Sequence, residues 1–344
     1  MKYLAPTVAI TLIAILGSMA YFKQGREETF GERLNRIARK VNESNTTWKA
    51  HADGRFAHVT KEEIMRKLGA KLDMQNESEI EHLDTVEYKG PLGAAPASFD
   101  SRTVWPGCQS IQEIRDQSDC GSCWAFASVE TMSDRICIAS NQKDQTRISS
   151  TDLLSCCSYC GDGCQGGYPN MAFQYWKNNG IVTGDLIGDN SWCKPYPFKC
   201  NAPGYPACPA QEYKTPACEK SCNPEYTAHP YNGDKHFASK VYSAAGATNI
   251  ANEISTNGPV ATAFTVYEDF YSYKSGIYQH TWGGPLGGHA VKFVGYGSEN
   301  GTDYWIVANS WDVTWGEQGF FRIVRGINNC GIENKVYGGF PKTN

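Results

Sequence analysis

Two residue types in this chain could carry covalent chemistry at neutral pH, cysteine and histidine. A thiol attacks a carbonyl only as its thiolate, so a reactive cysteine needs positive potential beside it. Cys123, in Gln117-Ser118-Asp119-Cys120-Gly121-Ser122-Cys123-Trp124-Ala125-Phe126, stands where a helical pattern begins. Unpaired N–H groups and the helix dipole would stabilise an anion there. The plain alternative makes Cys123 one half of a disulfide, and the even total of fourteen cysteines does not exclude it. A general base near neutrality points to histidine. Of seven, His51, His58 and His82 lie early in the chain, leaving His229, His236, His280 and His289 open.

The elements that must position these groups follow from patterning. Trp124, Ala127, Val129, Met132 and Ile136 form an apolar stripe that predicts a helix from Gly121 to about Ser140, with Glu130, Asp134 and Arg135 left for solvent. Runs at 260–266, 290–296, 304–308 and 320–324 are β-rich and bounded by Gly, Asn and Pro, whereas 156–222 reads as Cys-, Gly- and Pro-rich loop. A helical, cysteine-tied half followed by a β half predicts an α+β architecture with a cleft between two subdomains.

The front of the chain is of another kind. An apolar run from Val8 to Leu16 behind Lys2, then Ser18 and Ala20, predicts a signal peptide over residues 1–20 and no stable membrane span after its cleavage; an uncleaved anchor is the alternative. Residues 21–93 are polar and cysteine-free. Phe30, Leu34, Ile37 and Val41 predict one amphipathic helix, and a weaker one is expected near 62–68. Such a segment buries too little to stand alone, so it should lie on the rest of the protein; a flexible tail is the alternative. The breakers Lys89-Gly90-Pro91 and Gly93-Ala94-Ala95-Pro96 mark a joint suited to proteolytic removal, leaving 94–344 as the mature domain. All fourteen cysteines lie between Cys108 and Cys330, which behind a signal peptide implies disulfides and the secretory route. Sequons at Asn42, Asn45, Asn76 and Asn300 fit that route. A net charge of −4 leaves no basic footprint for nucleic acid.

Cys120-Gly121-Ser122-Cys123-Trp124 resembles the signature around the nucleophile of papain-type cysteine proteases. The resemblance runs from about Pro96 to Pro341, through Ser98-Phe99-Asp100, Glu113-Ile114-Arg115-Asp116-Gln117, Cys164-Gln165-Gly166-Gly167-Tyr168-Pro169 and Tyr304-Trp305 to Asn309-Ser310-Trp311. It is nearest in pattern to the cathepsin B branch, and Asn45-Thr46-Thr47-Trp48 resembles a propeptide of that branch.

The resemblance implies a papain-like fold with a helical and a β-barrel-like subdomain, and a zymogen whose residues 21–93 inhibit the cleft and leave at acid pH. It implies Cys123 as nucleophile, His289 as base, Asn309 as the residue orienting the imidazole, and Gln117 as oxyanion-hole donor. Trp311 would shield the His–Asn bond. Substrate would be held by Gly166, Gly167, Tyr168, Pro169, Ala263, Gly288, Ala290, Trp311 and Lys335. By the same resemblance the disulfides are Cys108–Cys137, Cys120–Cys164, Cys156–Cys218, Cys157–Cys160, Cys193–Cys222 and Cys200–Cys208, with Cys330 free, buried and inert. No metal or cofactor is required; zinc at Cys157, Cys160 and Cys164 is a weaker reading, because no histidine lies in that cluster. Protein and peptide substrates, the chain's own propeptide and cystatin-like inhibitors are the implied partners of a monomer that is lysosomal or secreted.

Two departures qualify the resemblance. The insert at about 193–222 matches the occluding loop, a flap over the primed side on which the branch carries two adjacent histidines that bind a substrate's C-terminal carboxylate. Between Cys200 and Cys208 this chain has only Asn201-Ala202-Pro203-Gly204-Tyr205-Pro206-Ala207. Dipeptidyl carboxypeptidase activity is therefore expected to be weak or absent, leaving endopeptidase activity. Lys335 replaces a glutamate at the floor of the S2 pocket, so P2 arginine should be disfavoured unless the lysine turns to solvent. The alternative to an active protease is a catalytically silent, disulfide-rich binding protein on the same scaffold.

Overall fold

The computed structural model describes residues 27–54, 56–72, 83–87, 95–184, 187–201 and 204–342. The signal-like run 1–20, the Asn76 sequon, His82 and most of the breaker-rich joint lie outside the described residues.

The second half, joined by two short strands from earlier in the chain, builds one sheet. Its strands are β1 (Trp48–Ala50), β2 (Phe99–Asp100), β3 (Ala238–Ala244), β4 (Val260–Tyr267), β5 (Tyr273–Tyr278), β6 (Pro285–Glu299), β7 (Thr302–Ala308), β8 (Phe320–Val324) and β9 (Val336–Pro341). They follow the order β1-β5-β8-β7-β6-β4-β9-β3, with β2 added on β6. The path has two ends, so the β half is an open sheet and not the closed barrel that "barrel-like" suggests. Both ends are covered by the front segment. β1 pairs with β5 at one edge, and at the other Val86 N donates to Ser243 O and Ser243 N to Asp84 O. An unpaired strand edge invites association, and here the chain's own front segment fills both.

The front segment is a packed strap. Its first helix, Phe30–Glu43, starts at a capping box in which Thr29 and Glu32 exchange side-chain and backbone bonds. Leu34, Ile37 and Val41 are buried, as the three- and four-residue spacing predicts. Leu34, Val41, Trp48 and Ile64 share a core with Phe264, Phe270 and Trp311 of the sheet half. Trp48 is 1% exposed and donates from Nε1 to Gln279 O at 3.1 Å. Gly276, at φ +93°, lets the strap in: a Cβ there would stand 2.5 Å from Thr47 O.

The long helix runs Cys123–Ala139, close to its predicted span, but is buried nearly all round. Glu130, Asp134 and Arg135 do not face solvent; they are 3%, 0% and 2% exposed. Lys292 on β6 reaches Asp134 at 2.8 Å and Glu130 at 3.9 Å, and Arg135 pairs with Glu253 at 2.7 Å. A helix enclosed by sheet on one side and helices on the other cannot keep a wet face, so its charges survive only as buried pairs. The loop-like stretch 156–222 also holds a helix, Pro169–Asn179, opened by proline. It is buried on most sides, which removed the periodicity that would have announced it.

Candidate active site

Cys123 is the first residue of the long helix and fully buried. The Cys120–Cys164 disulfide ties down the loop before it. Gly121 admits no side chain, since a Cβ would lie 2.2 Å from Cys164 O. Burial pushes the Cys123 thiol up to about 11; the N–H groups of Ala290, Gly69, Trp124 and Ala70 pull the other way and lose. Two of those four groups belong to the strap.

β6 carries His289 opposite Phe264 on β4. Its Nε2 lies 2.7 Å from Asn309 Oδ1, at the end of β7. An amide oxygen only accepts, so Nε2 bears the proton. Ser310 N donates to the same oxygen at 2.8 Å. Among the described residues, buried Nδ1 has no hydrogen-bond partner, leaving its lone pair free to take a proton. Trp311 stacks on the imidazole with centroids 4.6 Å apart and is itself buried. Burial pushes His289 down to about 4, against the hydrogen bond it donates to Asn309. With the strap in place, thiol and imidazole are therefore both neutral.

Gln117 is fixed from every side. Ser310 Oγ donates to its Oε1 at 2.8 Å, which aims the NH₂ outward to Lys67 O at 3.0 Å and Cys120 O at 2.8 Å. Tyr196 OH donates to its backbone oxygen at 2.8 Å, and Ser122 Oγ lies 2.9 Å from that hydroxyl. A strap carbonyl thus already occupies the amide. Sequence reasoning assigned no role to Ser310, Tyr196 or Ser122. Ser310 sits inside the Asn-Ser-Trp motif, whereas Tyr196 gave no local signal because its role depends on the insert folding back.

The strap crosses the cleft between the two halves. Gly167 N donates to Gly69 O at 2.8 Å, Lys71 N to Gly167 O at 3.0 Å and Ala70 N to Gly288 O at 3.0 Å. A Cβ on Gly69 would lie 1.7 Å from Gly121 O, and one on Gly288 2.1 Å from Ala70 O, so three backbones meet where only glycines fit. Gly166 (φ +104°) turns the chain into this contact, followed by half-buried Tyr168 and buried Pro169. Ala263 and Ala290 face each other across β4 and β6. Lys335 is exposed; its carbonyl accepts from Thr262 Oγ1 at 3.1 Å, and its ammonium makes no ion pair among the described residues.

All six expected disulfides are formed. The sulfurs of Cys157, Cys160 and Cys164 are therefore bonded in pairs and are not thiolates able to hold zinc. The insert is anchored on the long helix through Tyr196, edge-on to Phe126 at 4.7 Å, and closes on itself by stacking Phe198 on Tyr213 at 4.3 Å. Cys330 is free but half-buried, a correction to its expected burial; it lies in a tight turn at φ 58°. Burial and the charge of Asp269 still raise it to about 12. His280 is engaged elsewhere, 3.1 Å from Asp269 and stacked on Tyr267. His236 is lowered by burial. Among the sequons, Asn45 and Asn300 are exposed, whereas the Asn42 amide exchanges two 2.9 Å hydrogen bonds with Ala50.

Comparison with known proteins gives a consistent picture. The family model described as papain family cysteine protease matches residues 95–340. A cathepsin B-like cysteine proteinase 4 of Caenorhabditis elegans is 47% identical over 315 residues, covering 89% of this chain and 92% of the relative. A cathepsin B-like cysteine proteinase of Schistosoma japonicum is 47% identical over 305 residues, covering 86% and 87%. Among solved structures, procathepsin B S9 from Trypanosoma congolense superposes with a TM-score of 0.77 at 37% identity, covering 90% of this chain and 98% of that one.

Proposed function

The chain belongs to the papain family of cysteine proteases and has a zymogen-like fold, and from that premise we propose that it is a cathepsin B-type endopeptidase precursor working through Cys123, His289 and Asn309. The observation that carries this reading is the Asn309–His289 bond at 2.7 Å, with the other imidazole nitrogen unbonded among the described residues, in the buried site that also holds a helix-leading cysteine.

Once the strap leaves, water and substrate reach Cys123, and the burial that holds both groups neutral is relieved. The thiol proton then passes to His289 Nδ1, giving a thiolate and an imidazolium whose orientation Asn309 keeps. The thiolate attacks the scissile carbonyl carbon. Its oxygen gains the charge and is met by Gln117 Nε2 and the N–H of Cys123. Collapse of the tetrahedral intermediate breaks the C–N bond as His289 protonates the leaving amine. Water, deprotonated by His289, then hydrolyses the thioester and returns the thiol. These steps need no metal or organic cofactor.

Residues 21–93 act as the inhibitory propeptide, residues 1–20 as signal peptide and 94–344 as the mature monomeric enzyme, routed to lysosomes or exported. Two ion pairs, Arg33–Glu268 at 2.9 Å and Arg66–Asp119 at 3.2 Å, tie the strap to the domain, and its release at acid pH is what the family resemblance implies. Substrate would lie against Gly166, Gly167, Tyr168 and Pro169 on one wall and Ala263, Gly288, Ala290 and Trp311 on the other. Cystatin-like proteins would block the same cleft. No histidine lies on the 193–222 insert, so a free C-terminus finds no imidazolium pair there and dipeptide release is slow.

The test uses acid-processed enzyme and two matched peptides, one with a free C-terminus and one amidated, with Cys123→Ala as blank. Thiol-dependent internal cleavage of both at similar rates is expected. Fast dipeptide release from the free peptide alone would overturn the reading of the insert. Activity no greater than the blank, with the strap removed, would sink the protease reading in favour of a silent scaffold.

A further inference from the structure

The strap sets one side chain into the insert side of the cleft. Arg66 ends the short helix Lys61–Arg66, and its carbonyl lies against Gly121, two residues before Cys123. Its guanidinium donates from Nη1 to Asp119 Oδ2 at 3.2 Å and to Pro209 O at 3.5 Å, and from Nη2 to Ala210 O at 2.7 Å. The Asp119 side chain is 5% exposed and that of Arg66 23%. Glu212, the next acidic residue on the insert, accepts from Gly121 N at 3.3 Å and adds its charge to the field at Arg66.

Except for Arg66 itself, every group in this cradle belongs to the domain that remains after the strap is gone. Asp119 comes from the loop before the nucleophile, and the two carbonyls come from the insert after Cys208. Removal of Arg66 would leave the Asp119 carboxylate and two carbonyls converging on an empty position. Such a set is matched by a planar cation with donors in two directions, which is why arginine fits it better than lysine.

We propose that Asp119, Glu212 and the Pro209 and Ala210 carbonyls form a guanidinium subsite on the leaving-group side of the cleft, held by Arg66 in the precursor and by an arginine of the substrate in the mature enzyme. This deepens the protease reading and rests on it. The insert, which lacks a histidine pair for a C-terminal carboxylate, selects a cationic side chain instead. A preference for internal arginine on the primed side also agrees with endopeptidase cleavage, because the acidic cradle repels a free carboxylate.

The test takes the full chain, folded and then processed at acid pH, and a series of internally quenched peptides identical on the non-primed side. Arginine, lysine, glutamine or glutamate is placed in turn at each of the first three primed positions. At one position arginine is expected to raise kcat/KM about tenfold over glutamine, chiefly through KM, as one charge-assisted hydrogen-bond set would. Lysine should gain less and glutamate should lose. Asp119→Asn should bring the arginine-to-glutamine ratio towards one. Equal rates for arginine and glutamine at all three positions, in an enzyme that cleaves these peptides, would overturn the proposal. If nothing is cleaved, the protease reading falls and binding decides the subsite. A labelled peptide of residues 60–72 is then titrated into the processed protein and followed by anisotropy. Arg66→Met in that peptide should weaken binding about tenfold; unchanged binding would count against the subsite.

Discussion

The strap shields Cys123 through a glycine that has no room to be anything else. A methyl group added in Gly69→Ala would stand 1.7 Å from Gly121 O, 2.4 Å from Gly121 C and 2.8 Å from its Cα, where real contacts essentially never fall below 3.0 Å. The obstacle is backbone on both sides, so no side chain can swing away. The strap must retreat by more than an ångström. The Gly167 N–Gly69 O and Ala70 N–Gly288 O bonds, at 2.8 and 3.0 Å, cannot both survive that movement. Two such bonds are worth together about 2 kcal/mol, so the population with Cys123 uncovered rises about thirtyfold. Local opening governs access to a buried thiol. The assay is alkylation of the unprocessed precursor by iodoacetamide at neutral pH, with the modified residue located by peptide mass spectrometry. Half-buried Cys330, the other free thiol, serves as internal clock. Cys123 of wild type should react far more slowly than an accessible thiol, since burial holds it at about 11. In Gly69→Ala it should react about thirtyfold faster at an unchanged Cys330 rate. A Cys123 rate indistinguishable from wild type would refute the idea that the close fit of Gly69 shields the thiol.

Further outcomes follow from the buried charges and the strap. Glu130 is pushed up to about 7 from 4.5, chiefly by burial, with Lys292 opposing. The folded state then binds more protons than the unfolded one between those values, so stability should fall by about 3 kcal/mol as pH rises through that window and stay level above it. Urea melts across that range should show the loss, and Glu130→Gln should flatten it. Lys292→Met leaves the Asp134 carboxylate unpaired in the core and should cost about 3–5 kcal/mol in the same melts. Glycan mapping of secreted precursor should find Asn45 and Asn300 occupied and Asn42 bare, because its amide is spent on Ala50. Lys335→Glu should improve cleavage after P2 arginine if the lysine reaches the S2 pocket. An unchanged rate would mean that it stays in solvent.

Much of this protein can be read from the order of its residues. The helix behind Cys123 shows in its apolar stripe, the four β runs in their composition, and the strap's first helix in its three- and four-residue spacing, because each is a short-range consequence of side chains seeking one apolar side. The motifs around Cys123 and Asn309 likewise named the family through residues close in sequence. Other features depended on which elements meet. The stripe on Cys123–Ala139 implied a wet face that does not exist, since sheet and helices enclose it and Lys292 and Glu253 arrive from 158 and 118 positions along to pair its charges. His289 could not be separated from His229, His236 or His280 without the family, because a base is chosen by its neighbour in space. Tyr196 positions Gln117, Ser310 turns its amide, and Arg66 fills a cradle made by Asp119 and the insert; each of these contacts joins residues that the sequence keeps far apart. Local pattern fixes elements because helix and strand are decided over a few residues. Site geometry and burial are decided by packing between distant segments, and only the tertiary structure brings those segments together.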